Sequence, residues 1–538
     1  MDRLAEKIML ACGWRRASLA FVAGALGALA LAPVNFFAVM FISLPVLVWL
    51  LDGASSEGHG GLVMRMRPAF MVGWWFGFGY FIAGLWWLGN ALLADADQFA
   101  WALPLAVIGL PAVLALFYGA ATALARLFWN DGFGRIALFS VSFALLEYAR
   151  QFLLTGFPWN ALGQTIAPVP LMMQTAGLIG LDGLNLLAVF IFAAPALLVT
   201  RRGRTPGLLL AAALFSAHLG YGFYALRDGP SELAGNDALR VRIVQPAVDQ
   251  AAKWEPADRE AIFAGLLTLT AAPPGDGLEK ASAEGPGKPD LIIWPETAVP
   301  FLLTSNPEAL ARIAQTLQAG QLLLAGAVRV EDAASTEPRY YNSVYAIDDA
   351  GEIVAAADKV HLVPFGEYLP FESVLGWFGL RTIAESFGGF SAAPNRQFLT
   401  LPGDRRALPL ICYEAIFPAQ AEIEGNSGDM LINVTNDGWF GATPGPYQHL
   451  QQARLRAVEV GRPMLRAANS GISSIIDARG RLLGVLPLGQ RGNLDMAIST
   501  ENSARSSYAK RQLNFWSLFA IMVLIGLFAR GSKWSARD

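Results

Sequence analysis

Eight apolar stretches constrain this chain more than any other feature. A helix needs about 20 apolar residues to cross the hydrocarbon core of a bilayer. Runs of that kind cover roughly 17–33, 36–51, 69–93, 102–125, 136–155, 179–200, 207–226 and 514–530. They predict a multi-span α-helical membrane domain of about eight transmembrane helices: helices 1–7 over residues 1–227 and a last helix with a cytoplasmic tail over 513–538. Between them, residues 228–512 are more polar. Composition agrees, since 54% hydrophobic and 15% charged residues is too apolar for an ordinary soluble enzyme. The first two stretches, separated by Pro33-Val34-Asn35, also read as one hairpin. Arg3, Lys7, Arg15 and Arg16 followed by an apolar run and Ala30-Leu31-Ala32 match a secretory signal. Pro33 directly after that motif, and the spans downstream, favour an uncleaved first helix.

Loop charge sets the orientation, because Lys and Arg accumulate on the cytoplasmic side. Arg65 and Arg67, Arg126 and Arg135, Arg201, Arg202 and Arg204, and Arg530, Lys533 and Arg537 occupy every second connection. The loops around 94–101 and 156–178 carry no Lys or Arg. With the N-terminus inside, 228–512 lies outside, which in a bacterium is the periplasm, and the chain is expected in the inner membrane. A net charge of −3 without a basic stripe argues against nucleic acid. Two cysteines, Cys12 and Cys412, exclude a disulfide framework, and on opposite sides of a membrane they cannot pair. His59, His218, His361 and His449 have no metal-ligand spacing, so neither metal nor cofactor is expected.

The outer segment has the pattern of an α/β domain. Val241 to Val244, Leu291 to Trp294, Leu322 to Ala325, Leu408 to Ile411 and Met430 to Asn433 read as strands. Helices are expected over 256–271, 307–318 and 447–461, hairpin turns at Asp349-Ala350-Gly351 and Ala478-Arg479-Gly480, and a surface loop over 272–289.

Three motifs place a polar residue after an apolar strand. Leu291-Ile292-Ile293-Trp294-Pro295-Glu296 sets a carboxylate at a strand end, where α/β sheets bind their ligands. Leu408-Pro409-Leu410-Ile411-Cys412-Tyr413-Glu414 sets a thiol there. Ala357-Asp358-Lys359-Val360-His361-Leu362-Val363-Pro364-Phe365-Gly366-Glu367 sets a lysine. Taken singly, Cys412 reads as a small buried hydrophobe, Lys359 as an exposed lysine and Glu367 as a solvated turn residue. Together with Asn436 to Gly441 (Asn-Asp-Gly-Trp-Phe-Gly), the set resembles the nitrilase superfamily of carbon-nitrogen hydrolases. With eight spans attached it is similar to the apolipoprotein N-acyltransferase family.

That resemblance implies an α-β-β-α sandwich and a Glu296, Lys359, Cys412 triad. The thiol needs a base to attack an ester at neutral pH, a role for Glu296, while Lys359 stabilises the oxyanion with the backbone N–H of Tyr413. Glu367 is carried over as a second carboxylate beside the lysine, with Trp254, Tyr413 and Glu414 shaping the site. The expected donor is a phospholipid, phosphatidylethanolamine, whose acyl chain passes to Cys412 as a thioester. The expected acceptor is the α-amino group of the S-diacylglyceryl cysteine of an apolipoprotein, and a monomer suffices for this ping-pong sequence. Phe365 to Phe390, rich in Phe, Leu, Trp and Gly, is a candidate lid touching lipid. Glu147 inside a span needs a partner, which Arg150 supplies from the same helical face; Asp182 and Asn185 form a second polar spot. Two readings compete: a membrane-tethered amidase using the same triad with water as acceptor, and a non-catalytic lipid-binding or transport protein.

Overall fold

A computed structural model describes residues 2–54, 62–93, 96–200, 202–227, 229, 238–250, 253, 255–273, 287–333, 335, 338–370, 389–423, 426, 428–499 and 507–531. The chain divides into two compact units: Met1–Arg227 with Ala509–Asp538, and Asp228–Tyr508.

The first unit is helical. Among the described residues five helices are long and apolar enough to cross a membrane: Leu62–Leu93, Ala100–Leu127, Ala176–Val199, Arg204–Leu226 and Tyr508–Ala529, with the shorter Phe37–Asp52 beside them. The expected spans at 17–33 and 136–155 take the form of helices Gly13–Gly27 and Gly134–Arg150, of 15 and 17 residues. The first is cut short ahead of Pro33, which has no N–H to donate and clashes with a preceding helical turn. Past Arg150 the chain turns, and Leu154 has left-handed backbone with φ 54°. Length and hydropathy therefore support fewer spans than the eight expected.

Small residues let these helices touch. A Cβ on Gly24 would sit 1.9 Å from the carbonyl oxygen of Phe76, and one on Gly79 would sit 2.0 Å from that of Phe21. Lipid offers helices no hydrophobic drive to associate, so close van der Waals packing must hold them. Several buried polar groups are paired. Arg150 binds Glu147, both side chains 1% exposed, and the Tyr118 hydroxyl donates to Glu147 Oε1 at 2.7 Å. Gln512 Nε2 donates to Asp182 Oδ2 at 2.7 Å, and the Gly163 N–H to Asn185 Oδ1 at 2.6 Å.

In the second unit twelve strands, among the described residues, form two six-stranded sheets. The strands are β1 (Leu239–Gln245), β2 (Leu291–Ile293), β3 (Leu322–Glu331), β4 (Arg339–Ile347), β5 (Ile353–Asp358), β6 (Leu399–Leu401), β7 (Arg405–Ile411), β8 (Met430–Thr435), β9 (Met464–Ala468), β10 (Ser473–Ile476), β11 (Leu482–Leu486) and β12 (Gly492–Ile498). One sheet runs β12-β1-β2-β3-β4-β5 and the other β11-β10-β9-β8-β7-β6. Ile243, Ile293, Leu324 and Val344 pack against Ile411, Ile432, Val434 and Leu465 between the sheets. The outer face of the first sheet, through Val244, Ile292 and Trp294, buries Phe263 and Leu266 of helix Arg259–Ala271 and Ile313 of helix Pro307–Thr316. That of the second, through Leu408, Leu410 and Leu431, buries Leu450, Ala453 and Ala457 of helix Pro444–Val460. This is an α-β-β-α sandwich, and covering both faces of each sheet is why its inner strands read as continuous apolar runs.

The helix expected at 447 starts at Pro444, where Thr443 accepts a hydrogen bond from the Gly445 N–H and caps the first turn. Both expected hairpin turns are present, with Gly351 at φ 78° and Gly480 at φ 76°. Residues 274–286 of the predicted loop and 371–388 of the candidate lid lie outside the described residues.

Candidate active site

Chain direction gathers the chemistry at one edge. β2 and β3 are parallel, and β5 points the same way because it is reached through antiparallel β4. β7 and β8 are likewise parallel. The C-terminal ends of β2, β5, β7 and β8 deliver Glu296, Lys359, Cys412 and Asn436, the edge where such sheets present reactive groups.

Glu296 is fixed at both oxygens. Oε1 accepts from Asn342 Nδ2 at 2.8 Å and lies 3.4 Å from Lys359 Nζ, while Oε2 accepts from the Asn436 N–H at 2.9 Å. Lys359, read singly as exposed, is 1% exposed. Its ammonium donates to Glu367 Oε1 at 2.9 Å, and Asn342 Nδ2 reaches the same oxygen at 2.9 Å. Glu367 is no solvated turn residue either: its other oxygen accepts from the Val363 N–H at 2.7 Å. Burial opposes the charge on Lys359, but the carboxylates of Glu367 and Glu296 outweigh it and hold the ammonium protonated far up the pH scale.

Cys412 follows β7 with a left-handed backbone, φ 50°, which a β-carbon makes costly. Its Sγ lies 3.2 Å from the Thr435 hydroxyl oxygen. Burial, then the nearby Glu296 carboxylate, push the thiol well above its usual range, with Lys359 partly offsetting them. The resting sulfur therefore keeps its proton and needs a base to act as a nucleophile.

Glu414 ties this turn to the lysine. Oε1 accepts from the N–H groups of Val360 at 2.8 Å and His361 at 3.0 Å, and Oε2 from that of Ile411 at 2.7 Å. Arg396 adds two bonds, at 2.9 and 3.1 Å. Tyr413 is buried, its ring 5.1 Å from Phe417 and 5.8 Å from His361. Trp254 lies outside the described residues.

Comparison with known proteins places the chain. Residues 23–194 match the family model of the apolipoprotein N-acyltransferase N-terminal domain, and residues 240–506 match carbon-nitrogen hydrolase. An apolipoprotein N-acyltransferase of Agrobacterium fabrum is 56% identical over 529 residues, 98% of each chain. That of Rhizobium rhizogenes is 54% identical over 533 residues, again 98% of each. The chain belongs to the apolipoprotein N-acyltransferase family. Among solved structures, a carbon-nitrogen hydrolase from Helicobacter pylori is 15% identical, covering 49% of this chain and 90% of its own with a TM-score of 0.36. An amidase from Nesterenkonia sp. is 18% identical, covering 49% and 91% with a TM-score of 0.34.

In this member of the apolipoprotein N-acyltransferase family, several residues around Glu296, Lys359 and Cys412 carried no signal in the sequence. Asn342 sits mid-strand in β4 among aromatic residues. Lys253 donates from Nζ to Thr297 Oγ1 at 2.7 Å and to the Glu296 carbonyl at 3.3 Å. Burial lowers its pKa to about 8, against the pull of Glu296. Asp437 joins Thr435, His449 and Arg466 behind the cysteine. Only the Asn-Asp-Gly-Trp-Phe-Gly motif pointed toward this group, and it gave Asp437 no role.

Proposed function

We propose that this acyltransferase moves an acyl chain from a phospholipid, phosphatidylethanolamine, through Cys412 to the α-amino group of the diacylglyceryl cysteine that begins an apolipoprotein. Glu296 takes the Sγ proton as the sulfur attacks the ester, then returns it to the leaving lysophospholipid oxygen. Lys359, held by Glu367 and Asn342, stabilises the oxyanion with the Tyr413 N–H. The acceptor amine, unprotonated, then attacks the thioester, Glu296 takes its surplus proton, and the proton passes to the departing sulfur. Trp254, Tyr413 and Glu414 shape the site around these steps.

The observation that carries this reading is the convergence of a buried carboxylate, a buried ammonium and a protonated thiol at the strand ends of one domain. Family membership and the apolar helices supply the reason for a lipid donor. Withdrawing a chain of about 16 carbons into water costs roughly 12 kcal/mol, at about 0.8 kcal/mol per methylene. A site served from a membrane avoids that cost. In this reading eight helices anchor the chain in the inner membrane, residues 228–512 form the periplasmic catalytic domain, and the enzyme works as a monomer.

Purified protein given labelled phospholipid should acquire label on Cys412 that hydroxylamine releases. Adding a diacylglyceryl-cysteine peptide should move the label to the peptide amine. Cys412→Ala should lose both steps, and full activity in that variant would sink the mechanism. Release of free fatty acid with no labelled peptide would favour hydrolysis instead.

A further inference from the structure

The Thr435 hydroxyl has one proton and two acceptors in reach. At the end of β8, fully buried, its Oγ1 lies 3.2 Å from Cys412 Sγ and 3.1 Å from Asp437 Oδ1. Asp437 is an ionised acceptor: burial disfavours its charge, but Arg466 and then His449 outweigh that and hold its pKa at about 2. The carboxylate stays anchored whichever way the hydroxyl turns, because Arg466 Nη2 donates to Oδ2 at 2.6 Å and His449 Nδ1 lies 2.8 Å from Oδ1. His449 Nε2 reaches on to the Cys412 carbonyl at 3.1 Å, so the same group braces the strained turn beneath the sulfur.

We infer that Thr435 is a further catalytic residue, whose hydroxyl hydrogen bond alternates between Asp437 and the Cys412 sulfur as the sulfur gains and loses charge. The inference rests on Cys412 being the nucleophile. In the resting thiol, the hydroxyl donates to the carboxylate, the better acceptor. When Glu296 removes the Sγ proton, the hydroxyl rotates and donates to the thiolate. In the acyl-enzyme the sulfur is neutral and the hydroxyl returns to Asp437. When the acceptor amine expels the sulfur, the C–S bond pair leaves on sulfur as a thiolate, which takes the hydrogen bond again. Thr435 exchanges no proton and forms no covalent bond. Its donor is paired in every state, and the bond is strongest where charge develops, as preorganised stabilisation requires.

The groups acting on the sulfur are Glu296, Lys359, Lys253 and Asp437, with Arg466 and His449 behind Asp437 and Glu367 behind Lys359. Beside these groups, the Thr435 hydroxyl lies within hydrogen-bond reach of the sulfur and carries no charge. Removing its hydroxyl should therefore raise the apparent pKa of the thiol with the surrounding charges left in place.

The test uses the full chain in detergent with Cys12→Ser, so that iodoacetamide reports Cys412 alone. Thr435→Val should shift the pH profile of alkylation upward and slow alkylation at neutral pH by about 10- to 100-fold, the worth of a hydrogen bond to a charged group. Acyl transfer to the peptide should slow in parallel. Thr435→Ser, which keeps the hydroxyl, should restore the wild-type profile, and Thr435→Ala replaces the valine variant if that fails to fold. A wild-type profile in the valine or alanine variant overturns the inference, as does an equal shift in the serine variant. Activity in Cys412→Ala would instead remove the nucleophile itself. An inactive Cys412→Ala beside an unshifted Thr435→Val defeats the hydroxyl's role alone.

Discussion

Lys253 is a buried ammonium spent on backbone geometry. It bonds the carbonyl of Glu296 and the hydroxyl of Thr297, and Thr297 has left-handed backbone with φ 42°, so the cation pins the turn that carries Glu296. Holding a charge there has a consequence for pH. Burial lowers the pKa from 10.5 to about 8 in the folded protein. Between those values the unfolded chain binds more protons than the native one, so this lysine makes stability rise with pH across that window. Below pH 8 both states are protonated and the penalty for burying the charge is present in full. Lys253→Met should abolish the rise. Thermal unfolding in detergent at pH 7, 9 and 10.5 checks this, and parallel curves for wild type and variant would refute it. The methionine cannot bond the Thr297 hydroxyl, so acyl transfer should also fall, by about tenfold, if the turn loosens.

Between elements, Glu414 joins the loop after β5 to the turn after β7. Its carboxylate accepts from three backbone N–H groups and from Arg396, all around a side chain 1% exposed. An amide in its place has one accepting oxygen, and its NH2 faces donors. Glu414→Gln should destabilise the protein by about 2 kcal/mol or more, since unmet buried donors cost about 1–3 kcal/mol each. It should also lower the transfer rate by letting Lys359 and Cys412 drift apart. A melting temperature and rate equal to wild type would show that the clamp is idle. The same contacts explain what the sequence could disclose. Runs such as Leu291-Ile292-Ile293 are legible because both strand faces are covered by apolar layers. β9 is not, because Arg466 interrupts it, and that arginine is tolerated by pairing with Asp437 and bonding Asn433 and the Ile472 carbonyl. Lys359 and Glu367 look solvent-bound for a similar reason: each is the other's partner, and their separation of eight positions along the chain conceals it. Only the order of the motifs singled them out in the sequence.

At the scale of the whole molecule the open quantity is how many helices cross, and loop charge bears on it where length does not. The N-terminal Arg3, Lys7, Arg15 and Arg16 and the pair Arg65 and Arg67 are both inside signals. An even number of crossings must lie between them, so Gly13–Gly27 and Met40–Asp52 cross together or not at all. Arg126 and Arg135 on one side, and Arg201, Arg202 and Arg204 on the other, impose the same parity on Gly134–Arg150 and Ala176–Val199. The latter is long and apolar enough to cross, so the 17-residue helix before it should cross as well. At about 1.5 Å per residue it spans roughly 25 Å, close to the hydrocarbon thickness of about 30 Å. A phosphatase that works only outside the cytoplasm, fused after residue 131 or 203, should be inactive; fused after 156 or 228, it should be active. Activity at 228 without activity at 156 would mean that Gly134–Arg150 does not cross and that the eight-helix arrangement is wrong. Inactivity at 228 would put the Glu296, Lys359, Cys412 site on the cytoplasmic side, out of reach of a substrate presented outside.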